Sequence, residues 1–247
     1  MNSKCMLPIM AVAFLVGVLP ARSQSDHAVA AANPDGSYQL LSEDEDWSFL
    51  KDPALRQDFW DPIKYIPLRN GADDWYLTIG GEAREVWEQI GNDNWGESPF
   101  WNGYFNERYI IHFDVHYGKH LRTFVELKSG LNSFRIGGPR PIDEKKLDFQ
   151  AAFLELGTTA GENSVNLLVG RQELEYGSGR LIDVREGPNV RLSFDGFRLK
   201  TKVHSWQIDG LAVRPDLESW FLRQCAESCS WLLGCIRNTP HNRWNYS

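Results

Sequence analysis

Along residues 105–117 apolar and polar side chains alternate one by one. Phe105, Tyr109, Ile111, Phe113, Val115 and Tyr117 take the odd positions, with Glu107 the exception. Asn106, Arg108, His112, Asp114 and His116 take the even ones, with Ile110 the exception. A period of two predicts an extended strand with one apolar and one wet face, because successive side chains point to opposite sides. A helix would instead scatter the odd positions around its circumference. The same alternation recurs over residues 75–88, where Leu77, Ile79, Ala83 and Trp87 oppose Thr78, Glu82, Arg84 and Glu88. It recurs over 121–129, with Leu121, Val125 and Leu127 against Arg122, Glu126 and Lys128. Over 147–153 it sets Leu147, Phe149, Ala151 and Phe153 against Asp148 and Gln150. Weaker alternation at 165–169 is followed by 197–203 (Phe197, Leu199, Val203 against Arg198, Lys200, Lys202) and 206–212 (Trp206, Ile208, Ala212 against Gln207, Asp209). Seven strands are predicted, and no long amphipathic helix.

The predicted connections alternate in length. Gly118-Lys119-His120, residues 158–164 and His204-Ser205 are short, whereas 89–103, 130–146 and 175–191 are long. Short turns at one end and long loops at the other are the habit of outer-membrane barrels, whose short turns are periplasmic. Several predicted strands reach the roughly 9–11 residues that a tilted crossing needs, against roughly 5–6 in soluble sheets. In lipid every backbone group must be paired, so strands cross a membrane only as a closed barrel. Its outer face must be apolar and its inner face can carry charge. The fold class expected is therefore all-β: an antiparallel transmembrane β-barrel of outer-membrane type, its N-terminal portion of about seven strands, behind an irregular lead-in. A soluble β-sandwich also alternates, and a secreted soluble β-protein that binds or cleaves polysaccharide is the rival from another class.

Charge sharpens the division of the chain. The net charge is −7 over 247 residues. Residues 24–74 alone hold eleven acids and four bases, a net of −7, while residues 75–247 hold −2. The acidity belongs to the lead-in, and the body is close to balanced, which argues against nucleic acid as a partner. Residues 1–23 read as a cleavable signal peptide: Lys4, an apolar run from Met6 to Leu19, then Ala21-Arg22-Ser23. Residues 24–74 are expected to form an acidic periplasmic lead-in, with Asp52-Pro53 suited to capping a short helical turn. Residues 75–215 form the barrel portion. Residues 216–247 lose the alternation and hold Cys225, Cys229 and Cys235, an aberrant tail expected to lie outside the barrel, as in a truncated or frame-shifted product.

Several runs resemble the bacterial alginate export family. They are Glu45-Asp46-Trp47-Ser48-Phe49-Leu50 with Trp60-Asp61-Pro62-Ile63-Lys64-Tyr65, Leu77-Thr78-Ile79-Gly80-Gly81-Glu82-Ala83-Arg84-Glu85, and Gly137-Gly138-Pro139-Arg140-Pro141 with Asp143. The longest is Val169-Gly170-Arg171-Gln172-Glu173-Leu174-Glu175-Tyr176-Gly177-Ser178-Gly179-Arg180-Leu181, continued by Arg185-Glu186-Gly187-Pro188-Asn189-Val190-Arg191 and Phe194-Asp195-Gly196. The resemblance covers about residues 43–215. It implies an outer-membrane barrel of about eighteen strands, located in a Gram-negative outer membrane, that exports an anionic polysaccharide such as alginate. A general porin or solute channel on the same scaffold is the alternative.

No catalytic constellation stands out, no enzyme activity is expected, and no cofactor or metal is called for. The bases expected to meet an anionic polysaccharide or oligosaccharide in the lumen and its loop are Arg84, Arg108, Arg122, Lys128, Arg171, Arg180, Arg185, Arg191, Arg198, Lys200 and Lys202. Guanidinium groups bind carboxylates bidentately, and rings of bases select anions in pores. The plainer reading pairs these bases with Glu82, Glu126, Asp114, Asp148, Glu173 and Asp195 inside a wet interior. Outer-membrane lipid is an expected partner, as is a second chain completing the barrel. His112, Asp114 and His116 share one strand face and are a weak zinc candidate beside ordinary lumen polarity. Ser178 lacks the G-x-S-x-G spacing of a nucleophile elbow. The glycines of the 175–191 loop allow it to fold into the bore or over its mouth.

Overall fold

The computed structural model describes residues 38–69, 75–96, 101–118, 120–177, 179–216 and 232–238. The expected signal peptide, Cys225, Cys229 and Ser178 lie outside them. After a two-residue strand β1 (Ile66–Pro67) come seven long strands: β2 (Trp75–Gly91), β3 (Trp101–Tyr117), β4 (Leu121–Ser133), β5 (Lys145–Ala160), β6 (Asn163–Gln172), β7 (Phe194–Val203) and β8 (Trp206–Pro215). Each pairs antiparallel with the next in a simple meander that ends in β9 (Leu232–Asn238). β9 thus adds a strand to the segment set apart by its sequence as a tail, with Cys235 in register with Gly210. The sheet is open among the described residues. β2 and β3 pair from Trp75↔Tyr117 to Gly91↔Trp101. The short connections fall at one end (Gly118 to His120, Gly161-Glu162, His204-Ser205) and the long ones at the other, as the pattern predicts.

The two faces are the reverse of a soluble sheet. On β3 the even, polar positions are buried and the odd, apolar ones face out: His112 is 2% exposed and its neighbour Ile111 44%. Leu154, Leu156, Leu167, Phe197, Leu199 and Ile208 continue the outward apolar surface across β5 to β8. A sheet that hides its charges and shows its hydrocarbon fits lipid outside and water or protein inside.

Two features break the simple alternation. In β5 the register slips between Glu126↔Ala151 and Leu127↔Phe149, leaving Gln150 as an extra residue. The bulge switches the phase of the strand. Leu147 and Phe149 therefore point out (73% and 49% exposed), while Ala151 and Phe153 point in (1% and 4%), so the single apolar face expected over 147–153 does not exist. The inner side is also not wet throughout. Phe124, Ala151, Phe153 and Leu168 cluster there, as do Leu211, Val213 and Phe194 with Leu174 and Tyr176 of the segment after β6.

Two segments cover the inner face. The first is the lead-in, residues 38–69, built of three short 3-10 turns (Ser42–Asp44, Ser48–Lys51, Pro53–Leu55), the helical turn Asp61–Lys64, and β1. Asp52 caps the third turn as expected: its Oδ1 accepts from Ala54 N at 2.9 Å, with Pro53 in the first helical position. Trp47, Leu50, Tyr65 and Tyr76 form its apolar anchor. Tyr76 stacks on Tyr65 at 4.7 Å and on His116 at 4.3 Å, tying the segment to β2 and β3. Gly80 permits this approach, since a Cβ there would collide with the His112 ring and meet Lys64 Nζ at 2.8 Å. The second cover is the long connection between β6 and β7, residues 173–193.

Candidate functional site

The inner face of β2 to β8, with its two covers, is where the charged side chains converge. On β2 and β3 every second residue points inward, which brings Glu82, Arg84 and Arg108 together. Arg108 donates to Glu82 Oε1 from Nε at 3.1 Å and from Nη2 at 2.6 Å, and also pairs with Glu186. Arg84 donates to the Glu186 backbone oxygen at 3.0 Å. Deeper along the sheet Arg122 grips Asp114 with two bonds of 2.8 and 2.9 Å and reaches Glu155 at 3.3 Å. Arg198 lies against Asp209 at 3.0 Å. Lys128 is buried on β4 and donates to the Arg191 backbone oxygen at 3.3 Å.

The connection 173–193 folds onto this face. Arg191 meets Glu173 and Glu186, both at 3.2 Å. Asn189 Nδ2 donates to three backbone oxygens, of Glu107 (2.9 Å), Leu131 (3.1 Å) and Asp143 (2.9 Å), pinning the connection to β3, β4 and the preceding loop. Tyr176 OH donates to Asp209 at 2.5 Å. Burial pushes the Glu173 carboxyl up, against the pull of the nearby Arg191. Between this connection and the residues after β4 lies a cavity of about 120 Å³, lined among others by Lys128, Lys145, Arg185, Arg191 and Ser193.

The lead-in supplies the other half of the site. Glu43 is buried with its Oε1 3.4 Å from Arg198. Its backbone oxygen accepts from Arg122 Nη2 at 2.7 Å. The Leu40 oxygen accepts from Arg191 Nη2 at 2.7 Å, and Asp44 lies 3.6 Å from Lys200. Burial lifts the Glu43 carboxyl to about 7, with Lys200 and Arg198 pulling it back down and Asp44 adding to the lift.

Of the bases singled out by sequence, Arg84, Arg108, Arg122, Lys128, Arg191, Arg198, Lys200 and Lys202 lie along the inner face or its cover. Arg171 stands at the far end of β6 among Asp195 (2.8 Å), Asp216 (3.0 Å) and Asp148 (3.3 Å). Arg185 lines the cavity, with φ at +59°. Arg180 is exposed in the turn after Gly177, apart from the rest. The acids named beside the bases are their actual neighbours at Glu82, Asp114, Asp148, Glu173 and Asp195. Glu43, Glu186, Asn189 and Asp209 were not legible as partners. The one signal for Glu43 is its place in the acidic run 43–46 ahead of a charge-balanced body. His116 bonds Asp114 at 3.1 Å, and His112 stacks on Phe124 at 5.6 Å, so this strand face is a hydrogen-bonded and stacked chain. Among the described residues no group of three or more His, Cys, Asp or Glu is placed to hold a metal ion.

As a whole, the arrangement is a wall that sorts charge to its inner side, its bases paired with acids of the sheet and with acids and carbonyl oxygens supplied by two covers. The sequence model of one family, described as alginate export, matches residues 75–225. Neither a curated protein nor a solved structure matches the chain.

Proposed function

The chain belongs to the alginate export family, and from that premise we propose that it passes an anionic polysaccharide or oligosaccharide across the outer membrane, passively, along the charged inner face. The observation that carries this reading is the sorting of the faces, with Ile111 out beside His112 and Arg108 in. Guanidinium groups on such a wall offer carboxylates the bidentate geometry they bind best. The acids beside them keep each contact weak enough for the polymer to move on, as conduction requires. No covalent step is needed. Outer-membrane lipid is the partner of the apolar face. Among the described residues the sheet is open along β2, of which β1 pairs only Tyr76 and Leu77, and along β9; backbone groups left unpaired in hydrocarbon cost several kcal/mol apiece, and a second chain is one way to pair them.

Efflux from vesicles tests the proposal. Vesicles carrying the inserted chain are loaded with a short oligouronate or with a neutral oligosaccharide of equal length. Faster loss of the oligouronate is expected. Equal loss of both favours a general solute channel, and a chain that stays in water and cleaves glycans overturns the reading.

A further inference from the structure

The lead-in meets the bases through acidic and carbonyl oxygens, the same chemistry that a polyuronate would offer. Glu43 faces Arg198, Asp44 faces Lys200, and the backbone oxygens of Leu40 and Glu43 accept from Arg191 and Arg122. Resting on the export reading, we propose that residues 39–46 are a built-in stand-in for the anionic polymer, occupying Arg122, Arg191, Arg198 and Lys200 until a polyanion displaces them.

The way the lead-in is held supports a detachable plug. Its second half is anchored by hydrocarbon: Trp47, Leu50 and Tyr65 pack with Tyr76, and Lys64 lies over the Trp47 ring at 4.5 Å. Glu45 is the junction between this anchor and the releasable run, its carboxylate accepting from Trp47 Nε1 at 2.8 Å. The first half buries one apolar side chain, Leu41, and leaves Tyr38 and Leu40 exposed. Tyr38 packs edge-on to Trp47 at 5.1 Å, beside the anchor. The grip of residues 39–46 on the bases is polar, and polar grips on cations are what an incoming carboxylate can exchange for its own. The anchor then keeps the released run tethered at high effective concentration, so it returns once the polymer has passed. The composition agrees: the acids are concentrated in the lead-in, while the body is nearly neutral.

Hydrogen exchange of the full chain in lipid nanodiscs, with binding followed by calorimetry, tests this. The expected result is that a short oligouronate speeds exchange across 39–46 while 47–65 stays protected, and that a neutral oligosaccharide of equal length does neither. The variant Asp44→Asn, which removes the charged partner of Lys200, is expected to bind the oligouronate about threefold more tightly than wild type, equivalent to about 0.7 kcal/mol. Exchange over β2 to β8 verifies that the variant is folded, and the wild-type result stands without it. Oligouronate binding that leaves 39–46 protected overturns the plug and leaves the export reading standing. Equal or weaker binding by a folded variant also overturns the plug. No binding by either chain overturns the anionic substrate, and the plug with it.

Discussion

Arg122 shows what a single inner residue is asked to do. Its guanidinium spans Asp114, Glu155 and the Glu43 backbone oxygen, so one side chain ties β3, β4, β5 and the lead-in together. The side chains of Arg122 and Asp114 are 16% and 6% exposed. Breaking a buried pair by removing one partner costs about 3–5 kcal/mol, because the survivor is left uncompensated. Asp114→Asn is therefore expected to lower stability by roughly that amount. Asp195→Asn, which removes a partner 40% exposed from Arg171, is expected to cost under about 1 kcal/mol. Urea unfolding of the chain in detergent, followed by tryptophan fluorescence, compares the two. Alternation alone placed Asp114 and Arg122 on the same face. It could not pair them, since Asp114 lies diagonally across from Arg122 through the His116↔Arg122 register, and pattern excludes only slips of an odd number of residues, the turn deciding the rest.

At the scale of elements, the long strands were legible because each obeys a period of two over many residues. β5 was legible as a strand and not as a face, because one extra residue at Gln150 inverts the order and nothing in the composition marks it. The 173–193 connection and the lead-in have no period. Their places depend on long-range pairs such as Arg198–Glu43, 155 residues apart, which local pattern does not encode. The docking of the lead-in is expected to depend on pH through Glu43. It faces Arg198 and Lys200 from β7, Arg122 and Glu126 from β4, Glu173 from the connection, and Asp44 from its own turn. Its carboxyl rises from an ordinary 4.5 to about 7 when docked. The docked form therefore holds a proton that the free form lacks between those values, and docking weakens as pH climbs from 4.5 to about 7. Glu45, also raised by burial, acts in the same direction. Below that window both forms are protonated and above it neither is, so the dependence flattens. Proteolysis within residues 38–46 is expected to be slower at pH 5 than at pH 7.5, with the protease calibrated on an unfolded substrate at each pH. Equal or reversed protection would remove Glu43 as the controlling group.

For the whole molecule, the decisive property is which side of the sheet tolerates charge. On β3 the outward apolar run from Tyr117 to Tyr109 covers eight steps, about 26 Å along the strand at roughly 3.3 Å per residue. A tilt near 40° brings this to about 20 Å of height, close to the roughly 25 Å apolar band of outer-membrane barrels. Aromatics mark its ends: Trp75 packs edge-on to Tyr117 at 5.5 Å, and the Tyr109 hydroxyl donates to Glu85 at 2.8 Å where carboxylates first appear outside. Ile111 lies inside that band and is 44% exposed. A lysine there would cost almost nothing if water bathed the outer face, since it would replace an exposed isoleucine. In lipid it meets hydrocarbon between the middle of the band at Phe113 and its Tyr109 end, and the expected cost of Ile111→Lys is about 1–3 kcal/mol. Val203→Lys, at the turn end of β7, is expected to cost about 0–1 kcal/mol because it lies near the interface. Folding equilibria into vesicles, titrated with urea, separate the cases. A large penalty at Ile111 with a small one at Val203 is what a lipid-facing wall requires, and two equally small penalties would mean that the apolar face never meets a bilayer.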